Sequence, residues 1–527
     1  VSYQSQPNST SDAIYTVYHK DGKTAFKVNQ KMGGGTWIYL GTFSFDKGTS
    51  GKVVLSNYSK ETGTVVTADA VKFGGGMGNI ARRADQDSIV HYTKASSKYG
   101  KSNMRVARNA YQPQINYPYE VSGYPRFVEG ARYWMQWAGI PDSIYSPSHG
   151  GDDYSDDYKS RGIWVNYLAG GTKSCPDVKG LQIPIDLSFA FHSDAGTFGR
   201  DTIVGSLGIY KVDRYGGKYA DGSSRMANHD LCDLVLSNIT HDIRSLYEPN
   251  WTRRGMWDQS YFEAWTPRVP AMLLELLSHQ NFADMRYGLD PRFRFTVSRA
   301  IYKGMLKFLS DSYGVDYVVQ PLPVDRFSAT LGKKDQVKLS WHAVVDSLEP
   351  TAMPDKYVVY KRVGNGDFDN GTVVKKTTYL CNIPSDKVVS FRVTALNKGG
   401  QSFPSEILSV GVSSQSAQKP VLIVNGFERI SAPDDFVTSD DQEAGFLADQ
   451  DNGVPDGTTI NYIGKMKEFR RAIPWTHDDS GGFGDSYGNE EKLVIAGNTF
   501  DYPALHGAAI LKAGYSFVSS SKVAATE

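Results

Sequence analysis

The sequence feature that most constrains the fold is an apolar run that stops abruptly at a histidine. Phe189, Ala190 and Phe191 precede His192, and the residues that follow, Ser193–Gly196, are mostly small. A buried strand of an α/β sheet delivers side chains to the crevice outside its carboxyl end, where an imidazole with space above it can bind a metal. The pattern predicts a metal-dependent hydrolase with His192 as a ligand. The alternative is a core histidine that hydrogen-bonds a backbone carbonyl.

A second apolar run, Val269–Leu277, contains a single carboxylate, Glu275. A lone acid among apolar neighbours is seldom buried without a partner. We interpret Glu275 as a general acid and base beside the metal. An ion pair with Arg268 or Arg244 is the structural alternative.

The composition narrows the class of partner. Lys plus Arg and Asp plus Glu number 57 each in 527 residues, which removes the electrostatic argument for nucleic acid or an anionic membrane as the main partner. No run of eighteen apolar residues occurs, so we expect no membrane span. The 32 Tyr and 9 Trp residues favour stacking on sugar rings.

The cysteine pattern and the start of the chain each support one further expectation. Cys175, Cys232 and Cys381 are few and scattered, and they predict neither a disulfide framework nor a zinc motif. The chain starts at Val1 without an initiator Met or a charged-then-apolar leader, so we expect a fragment or a processed form.

Strand and helix patterns predict a multidomain protein that combines α/β with all-β domains. Short strands such as Ala13–His19 and Val65–Val71, punctuated by Gly clusters, predict a small β-sandwich. Helical spacing alternating with apolar strands predicts an α/β domain with a mostly parallel sheet. The predicted domains are a β-sandwich at 1–92, an α/β domain at 93–318, a second β domain at 319–415 and a small α/β domain, possibly incomplete, at 416–527.

The second β domain carries a family resemblance. A Trp strand (Val337–Trp341), a Tyr-x-Val-Tyr strand (Lys356–Lys361) and a Phe-x-Val-x-Ala-x-Asn strand (Ser390–Asn397) are followed by Gly400–Glu406. This pattern resembles a fibronectin type III domain, which implies a spacer or a binding platform.

The α/β region resembles the zinc-dependent N-acetylmuramoyl-L-alanine amidases. The segment from His192 to Ala195 resembles that family's His-x-Asn-Ala strand end, with Asp in place of Asn. The segment Leu273–Leu276 resembles the late Leu-x-Glu strand that supplies the catalytic carboxylate. The resemblance implies a Zn²⁺ cofactor bound by His192, with Glu275 as the catalytic residue.

The order of modules resembles multidomain bacterial proteins labelled xanthan lyases, which join a golvesin-like β domain, an amidase-like domain, a fibronectin type III domain and a C-terminal α/β domain. The golvesin-like resemblance rests on Gly35–Phe45 and Val65–Phe73. In such proteins the β domain is inserted within the amidase-like domain. The resemblance therefore implies that the first metal-binding His and the helix Glu lie upstream of Val1.

A rival first ligand lies within the chain. Ser148–Asp153 contains a His-Gly-Gly turn and offers His149 and Asp152 as further metal ligands. A three-residue motif also recurs by chance in a Gly-rich chain, and the acids after it also suit a solvated loop. The following helix has Arg161 or Gly162 where the family has its Glu. The acids that could substitute for this Glu are Asp152, Asp153, Asp156 and Asp157.

Two classes of function follow. The first is an extracytoplasmic zinc-dependent hydrolase that cleaves an amide of peptidoglycan or a related cell-surface glycan. The second is a non-catalytic glycan-binding surface protein. The family label implies a third activity, xanthan-type polysaccharide lyase chemistry, whose usual helical toroid these strand-rich patterns do not suggest.

Overall fold

The chain is analysed as a computed structural model. It describes residues 1–4, 6, 8–30, 38–40, 43–73, 79–80, 92–96, 102–106, 131–148, 153–194, 196, 202–333, 336–415, 417–426, 430–447, 453, 469–470 and 501–526. Within these ranges the protein is multidomain and rich in β-sheet.

Short strands form the N-terminal β domain: β1 (Ala13–His19), β2 (Gly22–Val28), β3 (Ile38–Tyr39), β4 (Lys52–Leu55) and β5 (Asn79–Ile80). Two further strands, β6 (Tyr92–Ser96) and β7 (Ser102–Val106), form a separate two-stranded antiparallel sheet. β1 lies between β2 and β4 and is antiparallel to both. Tyr15 and Val17 alternate inward on β1 and form a core with Val28. The predicted strand at 65–71 makes only isolated bridges, at Val65 and Ala70.

The α/β domain contains helices α1 (Ala131–Ala138), α2 (Asp142–Tyr145), α3 (Asp153–Ala169), α4 (Met226–Leu246), α5 (Phe262–Trp265), α6 (Phe282–Gly288) and α7 (Pro291–Tyr313), with strands β8 (Ser188–Asp194), β9 (Ser206–Tyr210), β10 (Arg253–Asp258) and β11 (Ala271–Ser278). The sheet order is β10-β9-β11-β8. β10 is parallel to β9 and β11 is parallel to β8, but the central pair β9 and β11 is antiparallel.

Two of the three strand pairs are parallel, as expected for a mostly parallel sheet, and the antiparallel central pair makes the sheet mixed. Parallel neighbours need a long crossover connection, usually a helix, and α4 supplies one between β9 and β10. The connection at 259–270 contains only the four-residue α5, and β11 runs opposite to β10. The mixed sheet places the carboxyl ends of β8 and β11 at the edge where β9 and β10 begin.

Helices cover the two faces of this sheet unequally. Val235 of α4 and Val297 of α7 share a large core with Met272 and Leu274 of β11. On the opposite face, Ala264 of α5 packs on a smaller core of Leu207, Ile209 and Leu273. Helix α3 packs against α5 on that side. The smaller core leaves room for polar side chains near the strand ends.

The second β domain contains β12 (Asp325–Leu331), β13 (Gln336–His342), β14 (Lys356–Val363), β15 (Thr372–Val374), β16 (Thr378–Asn382), β17 (Val389–Asn397), β18 (Gly400–Gln401) and β19 (Leu408–Val410). These strands form two sheets around one core, in which Trp341 packs edge-on against Tyr357 with ring centroids 5.4 Å apart. The predicted Trp, Tyr and Phe strands are confirmed as β13, β14 and β17.

The C-terminal elements are β20 (Val421–Asn425), β21 (Asp435–Val437), β22 (Glu443–Phe446), β23 (Phe469–Arg470), α8 (Tyr502–Lys512) and β24 (Phe517–Ser521). β20 is parallel to β24, which pairs with β12 and so extends a sheet of the second β domain. Phe446 joins the α/β core, with its ring 5.5 Å from that of Phe282. Residues 471–500 of the predicted C-terminal α/β domain lie outside the described residues. None of the helices that the structure describes has the length and apolar character to cross a membrane.

Candidate functional site

His192 and Glu275 lie side by side at one end of the sheet. The parallel register of β8 and β11 pairs Glu275 with His192. Two residues earlier on each strand, Ala190 and Leu273 pack in the small core with Ala264 of α5. Because side chains alternate along a strand, His192 and Glu275 lie on the face that α5 covers. The structure thus brings together the two residues on which the family resemblance rests.

His192 makes its closest polar contact with Glu263, an acid on α5. His192 Nε2 donates a hydrogen bond to Glu263 Oε2 at 2.9 Å. Arg161 of α3 lies beside both groups, with Nη1 at 3.2 Å from Glu263 Oε2 and 3.5 Å from His192 Nε2. Arg161 Nη2 pairs with Asp157, four residues earlier on the same helix. One guanidinium therefore lies next to two carboxylates and an imidazole.

The surroundings of Arg161 favour its charged form. Burial works against the guanidinium charge, but the carboxylates of Glu263 and Asp157 outweigh it and raise the pKa of Arg161. The Glu263 side chain is 12% exposed and that of Arg161 is 29% exposed. This ion pair is therefore partly shielded from water and from salt screening.

Gly162 explains how α5 comes so close to α3. A Cβ atom at Gly162 would lie 2.9 Å from Cβ of Thr266 and 3.5 Å from a ring carbon of Phe262. Any larger residue would therefore push α5 away from α3. The chain has no carboxylate at Arg161 or Gly162, and Glu263 on the facing helix places a carboxylate beside His192.

Glu275 is a partly buried acid with an unsatisfied oxygen. Its Oε2 is buried and has no hydrogen-bond partner among the residues that the structure describes. Burial raises the pKa of Glu275 to about 7, His192 and Arg254 act to lower it, and Asp194 and Glu263 act to raise it. Near neutral pH this carboxyl therefore exchanges a proton readily, as a general acid and base must.

The proposed ion-pair partners of Glu275 are engaged elsewhere. Arg268 pairs with Asp177, and Arg244 donates a hydrogen bond to the backbone carbonyl of Trp251 at 2.9 Å. The structural alternative for Glu275 is therefore wrong for both arginines. Arg254 of β10, the guanidinium that does act on Glu275, pairs with Asp194.

Two exposed aromatic side chains lie near charged groups of this site. Tyr261, at the start of α5, is 44% exposed, and burial together with the charges of Glu275 and Asp194 raises its pKa. Trp257 of β10 is 43% exposed, and the Arg254 guanidinium lies 5.9 Å from its ring centroid. The site thus has a charged floor and an aromatic rim.

The donors that the structure describes do not fit a Zn²⁺ ion. Within the described ranges no three His, Cys, Asp or Glu side chains form a cluster suited to a metal. His192 and Glu263 approach each other, but the Arg161 guanidinium lies within 3.5 Å of both donor atoms, where it would repel a dication. The other predicted ligands, His149 and Asp152, lie outside the described residues, so their ligand role stays a prediction.

Glu263 is the residue that sequence reasoning missed. It is separated from Arg161 by 102 residues and occupies a four-residue helix rich in aromatic residues, which matches no metal or catalytic motif. The available signal was the absence of a carboxylate at 161–162, which implied either a lost site or a replacement from another element.

Comparisons with known proteins support the module assignments at low coverage. The Golvesin C-terminal domain family matches residues 1–75. Among solved structures, the fourth fibronectin type III domain of a human protein is 25% identical, with 19% of this chain and 85% of that chain covered and a TM-score of 0.17. The CwlD amidase from Clostridioides difficile, in complex with the GerS lipoprotein, is 14% identical, with 30% of this chain and 64% of that chain covered and a TM-score of 0.22.

The family match covers only the first 75 residues of the chain. No curated protein sequence matches the chain. The chain covers less than two thirds of the CwlD amidase chain.

Proposed function

We propose that this chain acts outside the cytoplasm, at the cell surface, and that its α/β domain binds peptidoglycan or a related cell-surface glycan without hydrolysing it. The observation that carries this proposal is the Arg161 guanidinium beside His192 and Glu263. An arginine there binds both groups that a hydrolytic metal would need. The golvesin C-terminal match at residues 1–75 supports an extracytoplasmic location.

The balance of charges in the site indicates which chemical groups of a ligand it can bind. Arg161 and Arg254 face three acids, Asp157, Asp194 and Glu263, so the floor of the site has no excess positive charge for an anion. Neutral hydroxyl and amide groups suit the site better, because a half-protonated Glu275 both donates and accepts hydrogen bonds. Tyr261 and Trp257 offer exposed rings for the apolar faces of sugars. Glycans with N-acetyl groups combine these features.

The test is co-sedimentation with insoluble peptidoglycan. We expect binding to persist in EDTA and to weaken about tenfold in Trp257→Ala and Tyr261→Ala, a loss of about 1.4 kcal/mol for each ring. Tyr515→Ala is the matched control, because Tyr515 is 41% exposed and belongs to the C-terminal region. Binding that EDTA abolishes, or that neither rim variant changes, would refute the proposal.

Hydrolysis of the amide between glycan and peptide is the second candidate, favoured by Glu275. A carboxyl with a pKa near 7 can take a proton from water and return it to a leaving amine. The predicted zinc cofactor belongs to this candidate. Release of new amino groups from peptidoglycan by the wild type, but not by Glu275→Gln, would favour hydrolysis over binding alone.

A further inference from the structure

The strongest unexplained feature outside this site is a fully buried arginine without a carboxylate partner. Arg225, at the start of α4, is 0% exposed. Its Nη2 donates to the backbone carbonyl of Trp265 at 2.8 Å, but Nε and Nη1 have no hydrogen-bond partner among the residues that the structure describes. A buried cation without an anion is costly, and proteins normally pair such a group.

Two tyrosines enclose the Arg225 guanidinium. Its central carbon lies 4.8 Å from the ring centroid of Tyr219 and 5.6 Å from that of Tyr215. Tyr219 is held in place, because its hydroxyl donates to Asn228 and its ring is 8% exposed. Tyr215 is 58% exposed. The guanidinium therefore lies close to one fixed ring and to one exposed ring.

The backbone under Tyr215 is unusual. Tyr215 has φ 55° and ψ 37°, the left-handed region that a tyrosine rarely adopts, and Gly216 and Gly217 follow with φ 66° and 74°. A non-glycine residue in this region carries strain, and such strain clusters at ligand sites and switches. A change of Tyr215 to an ordinary backbone conformation would relieve this strain and move its ring relative to the Arg225 guanidinium.

Another cation, Arg214, and another aromatic ring, that of Trp265, lie next to this group. The Arg214 guanidinium lies 4.9 Å from the ring centroid of Trp265, and the ring of Trp265 lies 6.4 Å from that of Tyr215. Arg214 donates a hydrogen bond to the Ser260 hydroxyl at 3.0 Å. Two arginines, the buried Arg225 and the exposed Arg214, thus lie next to aromatic rings around Tyr215.

We propose that the segment 214–225, together with Trp265, is a second ligand site that binds the carboxylate of an acidic sugar. The carboxylate accepts hydrogen bonds from Nε and Nη1 of Arg225, the fork that matches a carboxylate bidentately. The sugar ring stacks on the displaced Tyr215 and on Trp265, while Arg214 adds charge at the rim. This site is distinct from the strand-end site and does not depend on its function.

The experiment titrates the whole chain with sodium glucuronate, glucose and N-acetyl-D-alanine and follows binding by ligand-observed NMR. We expect glucuronate to bind at least tenfold more tightly than glucose, which lacks the carboxylate. N-acetyl-D-alanine carries a carboxylate without a sugar ring, and we expect it to bind more weakly than glucuronate. Tighter binding of N-acetyl-D-alanine than of glucuronate would overturn the sugar assignment in favour of a peptide carboxylate.

Variants separate the site from a merely structural arginine. Arg225→Lys keeps the charge but loses the fork, and we expect at least a tenfold loss of glucuronate affinity. Arg292→Lys, an exposed arginine paired with Asp290 on α7, is the matched control and should change nothing. Tyr215→Gly fits the left-handed backbone and removes the ring, so it should retain binding of N-acetyl-D-alanine and lose the preference for glucuronate.

Any one of three outcomes would overturn the proposal. The first is equal affinity for glucuronate and glucose in the wild type, and the second is unchanged glucuronate binding in Arg225→Lys. The third is an unchanged preference for glucuronate in Tyr215→Gly, a variant that leaves the buried arginine in place should Arg225→Lys unfold. Loss of peptidoglycan binding in Trp257→Ala with intact glucuronate binding would show that the two sites bind their ligands independently.

Discussion

Glu263 accepts a hydrogen bond of 2.9 Å from His192, although 71 residues separate them in the chain. The contact joins a short helix to the end of an edge strand and places a carboxylate beside the imidazole that the sequence identified. Arg161 completes the arrangement from a third element, at 3.2 Å from the same carboxylate. The centre of this site is therefore a salt-bridged network contributed by three separate segments.

We expect Glu263→Gln to destabilise the chain. The variant removes the charge that opposes Arg161, a group whose side chain is only 29% exposed, so a partly buried cation loses one of its two partners. The expected loss is about 1–3 kcal/mol in the free energy of unfolding, measured by urea denaturation. Asp233→Asn is the control, because the Arg253–Asp233 pair is 31% and 50% exposed and should contribute about 0–1 kcal/mol. Equal effects in the two variants would contradict a structural role for Glu263.

Gly162→Ala tests how α5 is held against α3. The added Cβ would lie 2.9 Å from Cβ of Thr266, so α5 must shift and carry Glu263 away from His192. We expect a loss of about 1–3 kcal/mol in unfolding free energy. Thr266→Gly removes the opposing atom, so the double variant should recover part of the loss relative to the sum of the single variants. Additive effects would show that the two positions do not clash.

The strand ends were predictable and the network between them was not. An apolar run that ends in a histidine, or one that contains a single acid, is a local pattern, and both His192 and Glu275 lie where those patterns implied. Glu263 and Arg161 meet through the packing of α3 on α5 at Gly162, a long-range contact that leaves no periodic signal. The antiparallel pairing of β9 with β11 was not predicted, because strand direction depends on connections and α5 is too short to serve as a crossover helix.

Glu275→Gln should stabilise the chain in a pH-dependent manner. The folded-state pKa of Glu275, about 7, lies above its ordinary value of 4.5, so folding favours the protonated form and the wild type loses stability as pH rises from about 4.5 to 7. Glutamine mimics the neutral acid and avoids that loss. We expect equal stabilities at pH 4 and a gain of about 1–3 kcal/mol for the variant at pH 8, by urea denaturation. A difference that is the same at both pH values would contradict the raised pKa.

The last prediction concerns zinc. Because the Arg161 guanidinium lies within 3.5 Å of the donor atoms of His192 and Glu263, we expect the purified wild type to contain far less than one zinc per chain by elemental analysis after dialysis. Arg161→Ala removes the competing cation and should raise zinc affinity, whereas Arg161→Lys keeps the charge and should not. His192→Ala in the Arg161→Ala background should abolish the gain, because it deletes the imidazole that contacts Glu263. One zinc per wild-type chain, lost equally in His149→Ala and His192→Ala, would instead identify the His-Gly-Gly turn as the first ligand and require Arg161 to lie elsewhere in the metal-bound protein.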